Sequence, residues 1–549
     1  MASQKSRAET KPAGVRLRMG GVNDTTPSRR RRSLPVRIAD RWWAALAGVL
    51  AAAVGLGAAE LAAALAGQAA TAPILALGSA GIDVTPQGLK AWAIRTFGDN
   101  DKAVLLASLG AGATVVAALA GLLARRHRTA GVCAVAGLGV VAAAAAVGRP
   151  QTDGWAAVPS LVGALAGAAA LILLLRAMSP RGAGPSPDAN DAAPAGPDRR
   201  VLLAGAGTLA VAASTGGLGR VITARRNVSA ARRGVRLPPP TGPGPAVPAG
   251  AQVRVPGMPP FTTPNGAFYR VDTALVLPQV DPADWTLRIG GMVDRPVELT
   301  FEELLRRPLI DREVTLTCVS NEVGGPYVGH ARWLGVPLAV LLREAGVRAG
   351  ADQLLSRSAD GWTCGTPLSV VLDGRDALLA VGMNGVPLPI AHGFPARLVV
   401  PGLYGYVSAT KWVVDLQVTR YADQAAYWTR RGWATDAPVK TMARIDLPRP
   451  LQRLRAGRVA VAGVAWAQHR GVDAVEVRVD GGPWHPARLA TVPGIDTWRQ
   501  WVWEWNATPG THRLEARATD ATGRTQISER VPPFPSGATG RPSVVVTVT

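Results

Sequence analysis

The sequence predicts a multi-domain chain: an N-terminal α-helical membrane bundle, then an α+β domain, then an all-β sandwich. Three observations predict it. Five apolar runs of membrane length crowd into residues 42–220, mixed strand and helix patterns fill 261–436, and short alternating strands fill 437–549. At 549 residues the chain is too long for one ordinary domain.

Residues 1–41 are polar and basic and read as a disordered cytoplasmic tail. The apolar runs cover about 42–67, 102–124, 129–148, 155–176 and 201–220. Each approaches the roughly 20 residues a helix needs to cross the hydrocarbon core. Buried helices of a soluble protein are the alternative, which so many runs in one region disfavour. Their Ala and Gly content allows close helix packing. Basic loops, "RRHR" at Arg125–Arg128 and the ends of 176–200, face the cytoplasm by the positive-inside rule. The N-terminus is then inside, and the fifth span delivers the rest of the chain outside the cell membrane. The loop 68–101 lies outside, and "TPQGLKAWAIRTFGDNDK" predicts a short interfacial helix. Glu60, near the outer end of the first span, is expected to snorkel to the interface.

Residues 179–198 are a linker by composition. The following "DRRVLLAGAGTLAVAASTGG" reads as a twin-arginine export signal placed internally as the last span; a plain cytoplasmic flank is the alternative. A Pro-rich linker completes 221–260. Net charge is +22, yet the densest basic run, "SRRRRSLPVR", lies just before a span. Membrane orientation explains it, and no nucleic-acid partner is expected.

Beyond 260, "WTLRIGGMV" alternates as a strand. "TFEELLRR" starts a helix, with Thr300 ahead of Glu302 and Glu303. "GVPLAVLLREAG" is a helix ended by Gly346. "ARLVVPG" is a buried strand. After Ala437, "AVEVRVDGGPW" and "WRQWVWEWNA" give strands and turns, a β-sandwich pattern. The stripe Trp501, Trp503 and Trp505 reads as packing rather than a ligand platform.

The chain has three cysteines and no CxxC, so it is no disulfide-stapled scaffold. Cys318, in "LTCVSNEVGG", has three readings: an inert core thiol, a partner for Cys364, or a thiolate ligand for a soft or high-valent metal. Zinc needs four ligands, and the six histidines are scattered. A metal held by one thiolate takes its other ligands from an organic cofactor. "AHGFPARLVVPGLYGYVSATKW" gathers His392, Arg397 and Lys411 with glycines, a pattern able to approach and bind a phosphate.

These motifs resemble the sulfite oxidase family of molybdopterin-dependent oxidoreductases. "FYRVDTALVLPQVDPADWTLRIGGMVDRP", "LTCVSN", "ARWLGVPLAVLLREAG" and "HGFPARLVVPGLYG…KW" occur in the family's order, over about 260–535. The resemblance implies a molybdopterin-binding domain at 261–436 and an immunoglobulin-like domain at 437–549, with a possible homodimer through the latter. It implies a molybdenum–molybdopterin cofactor, with Cys318 as the metal ligand. Tyr269, Arg270, Asn321, His392, Arg397, Ser408, Thr410 and Lys411 then hold the cofactor or border the metal. Cys318, Arg270 and Tyr427 are the implied catalytic set. Animal and plant sulfite oxidases carry two arginines after the asparagine, where this chain has Glu322 and Val323. Asp272 stands where a histidine is common. A neutral sulfoxide therefore suits the pocket as well as sulfite does. No haem domain is expected.

The expected activity is membrane-anchored, extracytoplasmic, two-electron oxo transfer on a small sulfur or nitrogen oxo-compound, with an unidentified electron donor or acceptor. The competing readings are a thiol–disulfide oxidoreductase using Cys318 and Cys364, and a non-enzymatic surface binding protein.

Overall fold

The computed structural model describes residues 34–97, 100–149, 154–179, 199–225 and 227–549. Most of the basic tail expected at 1–41 and most of the linker expected at 179–198 lie outside the described residues.

The N-terminal region is helical: α1 (Leu34–Leu65), α2 (Pro73–Val84), α3 (Gln87–Phe97), α4 (Asp101–Arg126), α5 (Arg128–Val147), α6 (Val158–Ala177) and α7 (Arg199–Arg225). Five stretches are long and apolar enough to cross a membrane: Arg41–Leu65, Asp101–Arg126, Arg128–Val147, Gly154–Ala177 and Arg199–Gly234. They coincide with the five runs read from the sequence. α1 packs against α4, α6 and α7. Glycine makes this possible: a Cβ on Gly55 of α1 would lie 2.7 Å from the Gly163 carbonyl oxygen of α6. Glu60 of α1 is half-buried and faces Arg220 of α7 at 3.8 Å, a partner the interfacial reading did not supply.

The loop 68–101 contains two helices where one was expected. α3 lies within the predicted segment. α2 precedes it, started by Pro73 at a position where a missing N–H costs nothing. Its Gly78 faces Leu275 of the next region, whose Cδ1 would stand 2.8 Å from an added Cβ. The linker expected at 221–260 is likewise not free chain. α7 continues to Arg225, α8 (Ser229–Gly234) follows, and Arg232 donates to the carbonyls of Leu388 (2.6 Å) and Pro387 (2.5 Å). Further on, Val253 N–H donates to Gln500 Oε1 at 2.7 Å. The segment's backbone groups find partners on the folded regions, which tethers it.

The α+β region holds two sheets. One runs β2 (Val297–Thr300), β1 (Thr286–Gly291), β10 (Val413–Thr419), β5 (Gln353–Ser358), β6 (Thr363–Pro367), with only β1 and β10 parallel. The other runs β3 (Ile310–Thr317), β4 (Val328–Pro337), β7 (Leu378–Met383), β8 (Val386–Pro387), and β9 (Arg397–Val399) pairs with β7. Three short helices, α9 (Phe301–Leu305), α10 (Leu338–Ala345) and α11 (Leu368–Leu372), pack on them. The predicted start of α9 is a reciprocal cap. Thr300 Oγ1 accepts from Glu303 N–H, and the Glu303 carboxylate accepts from Thr300 N–H at 2.8 Å. α10 stops at Gly346, whose φ of 73° suits the left-handed cap. Trp285, Leu287, Leu341, Leu398 and Val413 share the resulting core.

The C-terminal region is β-rich. One sheet runs β11 (Met442–Leu447), β13 (Gly457–Trp466), β17 (Arg499–Ala507), β16 (Arg488–Leu489). The second runs β12 (Arg453–Leu454), β19 (Ser543–Val548), β18 (Gly510–Asp520), β14 (Val472–Val479), β15 (His485–Pro486). Val461 and Trp501 of the first share a core with Val475, Leu514 and Val546 of the second. Trp501 and Trp505 are buried there and Trp503 packs against the same core, so the stripe is packing. This region also braces β3. Gln468 Nε2 donates to Thr315 O and Thr317 Oγ1, each at 3.0 Å, and Trp498 N–H donates to Thr315 Oγ1 at 2.7 Å.

Candidate active site

β3 delivers Cys318 into a tight turn. Cys318 N–H donates to Tyr327 O at 3.0 Å, Asn321 N–H to Cys318 O at 3.1 Å, and Tyr327 N–H to Asn321 Oδ1 at 2.8 Å. Asn321 therefore closes the loop. Gly325 has no room for a side chain, since a Cβ would stand 2.7 Å from Asn321 Oδ1. The thiol of Cys318 borders a chamber of about 580 Å³. Burial pushes that thiol up, opposed by hydrogen bonds from Ser320 and by the Lys411 charge.

The second half of the site comes from 390–411. A short 3-10 turn, Ile390–His392, ends at Gly393 with φ 109°. A Cβ there would lie 3.0 Å from Arg397 Cβ and 3.1 Å from Lys411 Cα. Glycine thus lets the turn close onto Arg397 and Lys411. The neutral imidazole of His392 donates through Nε2–H to Asn265 O at 3.1 Å. Burial first, then the Arg397 charge, holds its pKa down to about 4.

Arg397 is 4% exposed and meets no carboxylate among the described residues. Among the described residues its guanidinium donates to the carbonyls of His392 (3.2 Å) and Leu398 (3.3 Å), and it lies 4.9 Å over the Trp333 ring. Burial lowers its pKa to about 10. A buried cation without a counter-charge is costly and calls for an anion in the chamber beside it.

Lys411 donates to Asp272 Oδ2 at 2.7 Å and to Ala391 O at 3.3 Å. Burial brings its pKa down to about 8, and Asp272 opposes the fall. Asp272 also accepts from Arg270 Nε at 2.9 Å and from Lys102 Nζ, on α4, at 2.8 Å. These cations hold its carboxyl well below the usual carboxylate range, against the effect of burial.

The structure brings Tyr269, Cys318, His392, Arg397 and Lys411 to one chamber. Arg270 joins through Asp272. Tyr269 stacks on Phe268 at 5.2 Å, and burial raises its hydroxyl. The other candidate residues stand back. Ser408 donates to Tyr404 O at 2.9 Å, and Thr410 shares a 2.7 Å bond with Ser356, so both hydroxyls are engaged inside the fold. Tyr427 donates to Asp83 of α2 at 2.6 Å and stands outside the chamber lining. Sequence reasoning missed the wall opposite. Leu89, Trp92 and Phe97 of α3 and Lys102 and Leu105 of α4 line the chamber too. The sequence reading placed an interfacial helix here but not what it covers.

Cys318 and Cys364 are both free thiols. Among the described residues, no group of three His, Cys, Asp or Glu side chains could hold a metal. A metal at Cys318 needs ligands brought by a cofactor, and the unpaired Arg397 needs an anion. The residues present therefore fit a metal bound to an anionic organic group.

Residues 274–428 match the oxidoreductase molybdopterin binding domain. The chain is 32% identical over 176 residues to the uncharacterized oxidoreductase YuiH of Bacillus subtilis, covering 32% of this chain and 85% of that protein. It is 29% identical over 290 residues to human mitochondrial sulfite oxidase, covering 45% of this chain and 52% of the relative. The sulfane dehydrogenase SoxCD of Paracoccus pantotrophus aligns with TM-score 0.47 and 26% identity, over 53% of this chain and 84% of that one. The matched domain and these relatives define a molybdenum-dependent oxidoreductase that binds molybdopterin. Within that class, the chain belongs to the sulfite oxidase family. It spans about half the length of the curated sulfite oxidases it matches.

Proposed function

We propose that the chain is a membrane-anchored, extracytoplasmic oxidoreductase that performs two-electron oxo transfer on a small sulfur or nitrogen oxo-compound. One observation carries the reading: a buried free thiol and an unpaired buried guanidinium border the same chamber. In this reading Cys318 is the metal ligand. Arg397, Lys411, Arg270 and His392 hold the anionic and pterin parts of the cofactor, with Tyr269 beside them. Asn321 shapes the cysteine turn, and the segment bearing Ser408 and Thr410 offers backbone amides. Tyr427 positions the opposite wall through Asp83. The bound molybdenum cofactor supplies the redox step, and the protein binds and orients the reactants.

The substrate side of the chamber favours a neutral oxo-compound such as a sulfoxide. Glu322 and Val323 stand where the family carries two arginines. Leu89, Trp92, Phe97 and Leu105 add apolar surface. In the same reading residues 42–220 form the membrane bundle and 261–436 the cofactor domain. Residues 437–549 form an immunoglobulin-like domain able to mediate a homodimer. Basic loops put the N-terminus inside. An external electron donor or acceptor would exchange the two electrons of each turnover with the bound cofactor.

The test is metal analysis of the purified chain from a cofactor-competent host, followed by a mediator-coupled screen of sulfite, sulfoxides and nitrate. About one molybdenum per chain is expected from the single thiolate ligand. A chain without molybdenum overturns the proposal. Turnover of sulfite alone overturns the neutral-substrate reading.

A further inference from the structure

The N-terminal helices reach the site. Asp272 is a hub whose side chain is 6% exposed and which carries three cationic contacts, from Lys411, Arg270 and Lys102. Lys102 arrives from α4, 170 residues away in sequence. It occupies the first turn of a helix, where the helix dipole disfavours a cation. Its place there serves something other than the helix. Nζ is fixed by two acceptors, Asp272 Oδ1 and Ala274 O, both at 2.8 Å. The contact is not an isolated surface pair. Asp83, at the end of α2, accepts from Tyr427 (2.6 Å) and Arg431 (2.8 Å). The two clamps lie on either side of α3 and pin it along the chamber.

Charge arithmetic gives the contact a purpose. Asp272 competes for Lys411 and Arg270 with any anion entering the chamber. A third cation on Asp272 leaves the hub with two net positive charges instead of one. We propose that Lys102 is a positioning residue: it takes up the charge of Asp272 and so frees Lys411 and Arg270 for the anionic group of the cofactor. The proposal rests on the cofactor reading above. It makes the helical region part of the catalytic unit and not merely an anchor.

The test uses the full chain, purified in detergent, with molybdenum and released pterin counted per chain after extensive washing. Lys102→Met is expected to retain about fivefold less of both, the equivalent of one lost ion-pair contribution. Lys102→Arg keeps the charge and retains the wild-type content. Asp272→Asn added to Lys102→Met removes the competing carboxylate and restores retention to within about twofold. Lys102→Gln replaces the Met variant if that one fails to fold, as shown by its thermal unfolding. Wild-type retention in the uncharged variants overturns the proposal. So does a double variant that folds yet remains depleted, since a purely structural clamp is not rescued by removing its acceptor. A wild-type chain without molybdenum overturns the cofactor reading instead, and the two failures are thereby told apart.

Discussion

Cys364 sits with no exposed surface beneath the hydroxyls of Ser356, Thr366 and Thr410, and burial pushes its thiol up to about 11. Cys318 is nearly as buried, yet it borders open volume and feels the Lys411 ammonium. Depth alone does not separate the two thiols. What separates them is a cavity on one side and a nearby cation. The cavity leaves Cys318 room to bond a metal, while hydroxyls packed around Cys364 fill the space such a bond would need.

The sharpest way to break this contrast is substitution. Cys318→Ala is expected to lower molybdenum from about one per chain to below about a tenth, while Cys364→Ala keeps it, because only Cys318 offers a metal a bond. Equal loss in both variants would end the distinction. Arg397→Met removes the unpaired cation, and cofactor retention should fall about tenfold or more, with Arg397→Lys recovering part of it. Wild-type retention in the Met variant would show that the guanidinium faces no anion. Cys364→Ala should cost about 1–3 kcal/mol in thermal or denaturant unfolding, as expected for a small cavity in a packed core.

His392 gives a pH test on the Cys318 side. Its folded pKa, about 4, lies below the ordinary imidazole value of roughly 6.5, because burial and the charges of Arg397, Lys411 and Arg270 outweigh its bond to Asn265. The unfolded chain therefore protonates first as pH falls. The stability this neutral imidazole contributes is complete above about pH 6.5 and is lost by about pH 4, a change on the order of 3 kcal/mol. Unfolding of the Cys318→Ala chain, which holds no metal on that residue, should show the slope, and His392→Gln should flatten it. The smallest effect is expected from Tyr427→Phe. It removes a single bond to Asp83, about 1 kcal/mol, and should leave molybdenum content unchanged.

The sequence carried a good part of this site. Cys318, Arg397 and Lys411 stand in motifs whose local spacing survives folding, and Thr300 with Glu303 announces a helix start by chemistry alone. Other features were invisible for physical reasons. The hydroxyls of Ser408 and Thr410 look available in sequence, but the fold turns them onto Tyr404 and Ser356. Asp272 registered only as a departure from a family pattern. Its role depends on Lys102 and Lys411, which are 170 and 139 residues away. No periodicity encodes such a meeting. The same holds for α2, whose Gly78 makes sense only against Leu275.

The bracing of β3 bears on the order in which the molecule is made. Thr315, three residues before Cys318, donates its N–H to Asp496 O at 2.9 Å and accepts from Trp498 through its hydroxyl and from Gln468 through its carbonyl. Trp498 leaves the ribosome 183 residues after Thr315. A nascent chain that already shows Cys318 still lacks the supports that fix the strand delivering it. In the proposed reading, a metal at this thiol would wait for those supports, and a premature stop before Trp498 would remove the Trp498 bond to Thr315.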